Sequence, residues 1–177
     1  MSNWWPLPFK RFLNALTAPV LDALKLHFTG DVCLDSSYTF VEEDLDLDDS
    51  ILKSLSTIEI IIGLGMAHHK FVWLLLHKTP RLRHFILEVP QFFLPKWALH
   101  ELHEVEQMRA PALDTVLFRS CRNMNDAFFR AFITLMQKAR QQSGRDGVTK
   151  ITLSDCWELQ NFETDEEESV KIEWSDV

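Results

Sequence analysis

The fold is decided by the stretch Ala18-Pro19-Val20-Leu21-Asp22-Ala23-Leu24-Lys25-Leu26, which the chain repeats. It returns as Ala110-Pro111-Ala112-Leu113-Asp114-Thr115-Val116-Leu117-Phe118, and a looser copy runs from Thr79-Pro80 to Leu87. Proline cannot donate to a sheet ladder, so it favours the position just before a strand. Counted from the proline, large apolar residues follow at +2, +5 and +7. Those at +5 and +7 alternate with polar or small residues, as in a strand buried on one face. Each copy therefore predicts a turn followed by a strand.

Three further stretches predict strands without the proline. Residues 147–153 keep the apolar offsets with Val148, Ile151 and Leu153, residues 57–62 form a β-branched run, and residues 170–174 alternate cleanly. The first apolar residues of the six units lie at positions 21, 58, 82, 113, 148 and 170. Irregular steps of roughly 20 to 35 residues are typical of strand-plus-helix repeats, as in leucine-rich solenoids.

Helical patterns separate these strands. Residues 66–78 predict an apolar helix with His68 and His69 on its first turn, Pro95 opens another, and a third runs from Asn123 or Asn125 to about Gln142. Alternation of strands and helices favours a parallel sheet with right-handed crossovers. We therefore predict the α/β class, as a short irregular leucine-rich-repeat-like solenoid of five or six parallel strands with helices on one side.

The chain divides into an arm and a repeat domain. Its 177 residues with 46% hydrophobic content suffice for one buried domain or one short solenoid. Residues 1–15 begin with tryptophans and prolines and predict an N-terminal arm that caps the first repeat. Residues 16–177 form the leucine-rich-repeat-like domain, interrupted by an acidic loop at 29–50, after which Ile51, Leu52 and Leu55 predict a short amphipathic helical turn.

The net charge of −8 comes from two acidic blocks, at residues 42–49 and 163–168. Because the total is negative, a general nucleic-acid binder is not expected, although lysines and arginines slightly outnumber acidic residues outside the two blocks. No apolar run reaches the roughly 18 residues of a membrane span, and the start has no signal-peptide pattern. Neither a nucleic-acid partner nor a membrane partner is predicted.

Cysteine usage predicts a reducing compartment. Cys33, Cys121 and Cys156 are far apart and odd in number, and the last two follow predicted strands, where small buried thiols are common. The expected location is therefore cytoplasmic or nuclear.

Candidate metal and catalytic patterns are weak. Asp44, Asp46 and Asp48 imitate the opening of a calcium loop, but Asp49 and Leu55 replace its required Gly and Glu. His100 and His103 are three residues apart rather than four and lack a third ligand. Gly63-Leu64-Gly65 lacks the third glycine of a phosphate loop. We expect no metal, no cofactor and no catalytic residues.

The strand pattern also predicts a binding surface. Ten residues are expected to face the helices: Leu24, Leu26, Phe85, Leu87, Val116, Phe118, Ile151, Leu153, Ile172 and Trp174. Their neighbours then face the open side of the sheet. One row would contain Lys25, Ile61, Ile86, Leu117 and Thr152, with His27, Glu88, Arg119 and Ser154 beside it. Three adjacent apolar residues there predict a protein-binding patch, unless the arm or the acidic loop covers them or the register of residues 58–62 is shifted.

The repeated Ala-Pro-x-Leu-Asp units, together with Leu153-Ser154-Asp155-Cys156 and Ile172-Glu173-Trp174-Ser175-Asp176, resemble the leucine-rich C-terminal region of fungal F-box-like proteins. The resemblance covers roughly residues 16–176. It implies repeats that hold a substrate for a cullin-RING ubiquitin ligase, whose adaptor subunit binds the F-box. Leu7-Pro8 is not followed by a helical F-box pattern, so either the chain is a fragment or the ligase connection is lost.

These observations predict a non-enzymatic protein-interaction module that resembles the substrate-recruiting repeat region of an F-box-like protein. Two alternatives stay open. One is a small α/β enzyme of unknown reaction, and the other is a structural remnant without activity.

Overall fold

A computed structural model describes residues 21–28, 39–40, 49–63, 66–93, 108–160, 162 and 169–175. Within these residues the protein has the α/β fold class, with a six-stranded parallel sheet and few helices.

The large sheet contains six strands in the order in which they follow each other along the chain. They are β1 (Ala23–Phe28), β3 (Thr57–Ile62), β5 (His84–Glu88), β7 (Thr115–Arg119), β8 (Thr149–Ser154) and β9 (Val170–Trp174). Every neighbouring pair is parallel. All six predicted strands are confirmed. The proline and alternation patterns identify them because a strand that is buried on one face alternates apolar and polar residues.

A second, smaller sheet is formed by the three strands that come directly after β1, β3 and β5 along the chain. It consists of β2 (Thr39–Phe40), β4 (Met66–His68) and β6 (Gln91–Phe93), again parallel and in chain order. The sequence did not predict this sheet, since two or three residues are too few for a periodic pattern.

Three α-helices are described: α1 (Asp49–Ser54), α2 (His69–Lys78) and α3 (Asp126–Ser143). A 3₁₀ turn at Trp157–Leu159 follows β8. The caps of α3 are the ones its sequence predicts: the Asn125 side chain accepts a hydrogen bond from the Phe128 backbone N–H, and Gly144 ends the helix at a φ of 61°. The predicted third helix and the short turn around Ile51 are therefore confirmed.

The core lies against one face of the large sheet. Alternate strand residues are buried there, including Leu24, Leu26, Phe85, Leu87, Val116, Phe118, Ile151 and Leu153. Phe118 on β7 contacts Phe132 on α3, with ring centroids 5.1 Å apart, and Trp73 on α2 contacts Phe128 at 4.5 Å. Aromatic rings thus join both long helices to the same face of the sheet.

The last repeat departs from the predicted burial. Val148 is 44% exposed, whereas the next residue, Thr149, is buried and donates its hydroxyl to the Leu113 carbonyl at 2.8 Å. Ile172 is half-buried and Trp174 is 46% exposed, so the prediction that these residues face the core is only partly right. Both lie on β9, the last strand of the large sheet, where β8 is the only neighbouring strand among the described residues.

Two predicted segment bounds were wrong. The helix expected at 66–78 begins at His69, because Met66–His68 pair with β2 and β6 instead. His68 is therefore a strand residue. The acidic loop assigned to 29–50 contains the β2 strand, and α1 already begins at Asp49. The arm at 1–15, the Pro95 helix, the His100–His103 pair, the two acidic blocks up to residue 48 and at 163–168, and residues 64–65 of the glycine pair lie outside the described residues.

A buried arginine fastens the end of α3 to the start of β7. Arg140 is only 5% exposed, and its guanidinium donates to Asp114 Oδ1 at 3.2 Å and to the Leu113 carbonyl at 3.0 Å. Arg83 contacts the other Asp114 oxygen at 3.3 Å. A buried cation needs such partners, since leaving it unpaired costs several kcal/mol.

We predict that Phe118→Ala lowers the free energy of unfolding by about 3–5 kcal/mol, because it removes a fully buried ring that contacts Phe85, Phe129 and Phe132. The matched control is Thr134→Ala on the exposed side of α3, which should change it by less than about 1 kcal/mol. Urea unfolding followed by circular dichroism measures both. Equal losses in the two variants would mean that the aromatic cluster is not the core.

Candidate interaction surface

The face of the large sheet opposite the core, here called the open face, carries three rows of side chains. The rows follow from the parallel register, which aligns one residue of each strand with the next. The middle row consists of Lys25, Glu59, Ile86, Leu117, Thr152 and Glu173. The row toward the strands' carboxyl ends consists of His27, Ile61, Glu88, Arg119 and Ser154, the last of which is buried. The row toward their amino ends consists of Ala23, Thr57, His84, Thr115, Lys150 and Lys171.

This register corrects the predicted row at one strand. Lys25, Ile86, Leu117 and Thr152 do share a row, but Glu59 occupies the place expected for Ile61. Ile61 lies in the next row with Arg119, two residues further along β3. The face was predicted correctly for all of them, since a shift of two residues keeps a side chain on the same face.

The centre of the open face is apolar. Ile86 and Leu117 are direct neighbours on adjacent strands, and Ile61 lies diagonally from Ile86. All three are half-buried, as is Thr152 beside Leu117. The three predicted apolar residues thus form one contiguous patch, here called the apolar patch.

A carboxylate between a lysine and a histidine borders the apolar patch on the β1 side. Glu59 accepts from Lys25 Nζ at 2.7 Å and lies 3.2 Å from His27 Nε2. Its side chain is only 13% exposed. The hydrogen bond from Lys25 lowers the pKa of Glu59 below its ordinary value, against the opposing effect of desolvation.

A second carboxylate with two cations borders the open face on the β9 side. Glu173 contacts Lys150 Nζ at 2.7 Å and Lys171 Nζ at 3.0 Å. Hydrogen bonds from Lys150 and then Lys171 lower the pKa of Glu173. The predicted site did not include four of these residues: Glu59, Lys150, Lys171 and Glu173. The alternation of Lys171, Ile172 and Glu173 was the available signal.

The row that contains Ile61 ends in further paired charges. Arg119 Nη1 lies 3.3 Å from Glu88 Oε2 on the neighbouring strand. Beyond it, Arg122 contacts Asp155 at 3.0 Å and stacks over the exposed Trp157 ring at 4.6 Å. Predicted residue Arg119 is therefore an ion-paired neighbour of the apolar patch rather than part of it.

Two cysteines occupy equivalent turns after β7 and β8. Cys121 and Cys156 are free thiols and buried, and each lies 3.5 Å from a carbonyl of the adjacent earlier strand: Leu87 on β5 for the first and Phe118 on β7 for the second. Burial raises the pKa of Cys121 well above its ordinary value, whereas a hydrogen bond from Cys121 lowers the pKa of Cys156. The Cys121 thiol is therefore protonated at neutral pH and lacks the thiolate character of a nucleophile.

Within the described part of the chain, no three His, Cys, Asp or Glu side chains come close enough to hold a metal ion. None of the described helices combines the length and apolar character that a membrane crossing requires.

Comparisons with known proteins return no match. No protein-family model matches the chain, and neither the curated proteins nor the solved structures give a significant similarity.

We predict that Glu59→Gln lowers the free energy of unfolding at pH 7 by about 0.5–1 kcal/mol, a small value because Lys25 and His27 are exposed. The folded-state pKa of Glu59 is below its ordinary 4.5. Its contribution is therefore complete above that ordinary value and is lost as the pH falls through the folded value.

Urea unfolding at several pH values between about 7 and 3 measures this difference. Glu158→Gln in the exposed 3₁₀ turn is the control for removing one acidic charge. A stability difference between wild type and Glu59→Gln that stays constant down to the lowest pH would contradict the assignment.

Proposed function

We propose that this protein is a non-enzymatic interaction module, a leucine-rich-repeat-like solenoid whose open face binds a protein partner. The observation that carries the proposal is the apolar patch of Ile61, Ile86 and Leu117 on the open face of a regular parallel sheet, bordered by fixed ion pairs.

Strand order supports the solenoid. Each strand of the large sheet pairs with the strand that follows it in that sheet, and the small sheet repeats the same order. A doubly wound sheet instead reverses its strand order at a switch point, where such folds bind ligands. A stack of similar units gives the uninterrupted order directly.

The turn after the strand also repeats. Leu113, Val116, Phe118 and Cys121 follow the leucine-rich consensus Leu-x-x-Leu-x-Leu-x-x-Cys. Ile151, Leu153 and Cys156 keep its second half one strand later. Ser120 and Asp155 precede the two cysteines with nearly equal φ values of 52° and 53°. Equivalent backbone, burial and thiol hydrogen bonds support equivalent repeat units.

The open face suits a protein partner. Both faces of a parallel sheet are usually covered, so an accessible apolar patch on one face favours an additional covering surface. Its borders carry both signs of charge, and each carboxylate is already paired with cations. A phosphate backbone would need unpaired cations along a track, which this face does not offer among the described residues.

The resemblance to F-box-like proteins suggests the partner's role. If the resemblance extends to function, the open face recruits a substrate for ubiquitin ligation in the cytoplasm or nucleus. The two buried free thiols suit such a reducing compartment. Direct binding of the ligase adaptor is not part of the proposal, since no F-box pattern is recognisable in the sequence.

We predict that the double substitution Ile86→Asp, Leu117→Asp abolishes partner recovery in an affinity purification analysed by mass spectrometry. Two carboxylates in the apolar patch would have to be desolvated on binding, which reduces affinity at least about a hundredfold. The matched control places two aspartates on the exposed side of α3, as Thr134→Asp, Gln141→Asp.

Partners bound by wild type and control but lost with the double variant support the proposal. An unchanged set of partners with a double variant that still unfolds cooperatively would refute the binding surface. Recovery of the ligase adaptor in the same set would connect the protein to ubiquitin ligation.

A further inference from the structure

The outer edge of β9 carries backbone groups that no strand of the described residues pairs with. In the described part of the chain, β9 is the last strand of the large sheet and pairs only with β8. The Ser169 carbonyl accepts from Thr149 N at 2.9 Å, and Ser175 N donates to the Leu153 carbonyl at 3.0 Å. Backbone direction alternates along a strand, so the N–H and C=O groups of Val170, Ile172 and Trp174 point away from β8.

The side chains of this edge are arranged symmetrically about Ile172. Lys171 and Glu173 flank it on the open face, while Val170 and Trp174 flank it on the opposite face. Trp174 is 46% exposed, one of the few large apolar side chains in the described residues that are this accessible.

We propose that a second copy of this chain pairs with the outer edge of β9 in antiparallel orientation, about a two-fold axis at Ile172. The outward direction of three residues restricts the possible registers, and the charges then select one of them. The outward-pointing residues Val170, Ile172 and Trp174 are those that must form hydrogen-bonded pairs in it. The same register sets Lys171 opposite Glu173 of the second copy, at the pair type in which side chains approach most closely.

Each pair in this arrangement is favourable. Ile172 faces Ile172 of the second copy, and Val170 faces Trp174 of the second copy, a β-branched residue against an aromatic ring. A C2 interface requires such self-complementarity of one patch. The two large sheets then form one continuous sheet with both open faces on the same side.

One strand buries less than the roughly 1,200 Å² at the lower end of stable interfaces. The dimer is therefore weak, with a dissociation constant on the order of 10 μM or higher. Its affinity decreases with salt, because two exposed ion pairs contribute to it.

Sedimentation velocity over a concentration series, from about 5 μM to 1 mM, tests the proposal on the full chain. Wild type should show a monomer–dimer equilibrium. Lys171→Glu and Glu173→Lys should each raise the dissociation constant about tenfold or more, since like charges then face each other. The double exchange Lys171→Glu, Glu173→Lys should restore it, because opposite charges face each other again and Lys150 gains Glu at 171 as its direct neighbour.

A mixture of the two single variants gives the sharpest result. Glu at position 171 of one then faces Lys at position 173 of the other, so the mixture should form heterodimers at concentrations where each single variant alone is mainly monomeric. Urea unfolding of each variant verifies that the fold is intact.

Monomeric wild type at the highest concentration would overturn the proposal. So would dimers that are indifferent to both charge reversals, or a mixture that stays monomeric. These outcomes leave the open-face proposal unaffected, because that proposal depends on Ile86 and Leu117 instead.

Discussion

The structure depends on the in-register parallel pairing of the six strands of the large sheet. Each pairing aligns equivalent residues, so from β1 to β8 the buried apolar residues at the strand centres lie side by side. Burying one face excludes water from Ile58, Phe85, Val116 and Ile151, and the hydrophobic effect stabilises that alignment. Because successive side chains alternate between the two faces, the same register also determines which residues are neighbours on the opposite face.

The alignment also explains the arrangement of charges on the open face. Cations and carboxylates lie on neighbouring strands at ion-pair distance, as Lys25 with Glu59 and Arg119 with Glu88. Exposed pairs of this kind contribute only about 0–1 kcal/mol each. Their larger effect is to hold long side chains beside the apolar patch.

Much of the fold could be predicted from sequence because prolines and alternating apolar residues are local signals. The choice of face was correct even where the row was wrong, since Ile61 and Glu59 share a face. Register between parallel strands was not predictable, because it depends on how far each connecting segment carries the chain before the next strand begins. The exposure of Val148 was not predictable for a related reason. Its neighbour Thr149 is buried instead and donates its hydroxyl to the carbonyl of Leu113, a partner that is remote in sequence.

The proposed binding surface requires that the open face is accessible in solution while the opposite face is not. Nuclear magnetic resonance of the methyl-labelled full chain, with a soluble paramagnetic agent, measures this directly. We expect strong signal attenuation for the methyl groups of Ile86 and Leu117, and little for the buried Ile58, Ile60 and Ile151. Equal protection of both groups would show that the open face is covered, and the proposed binding surface would be wrong.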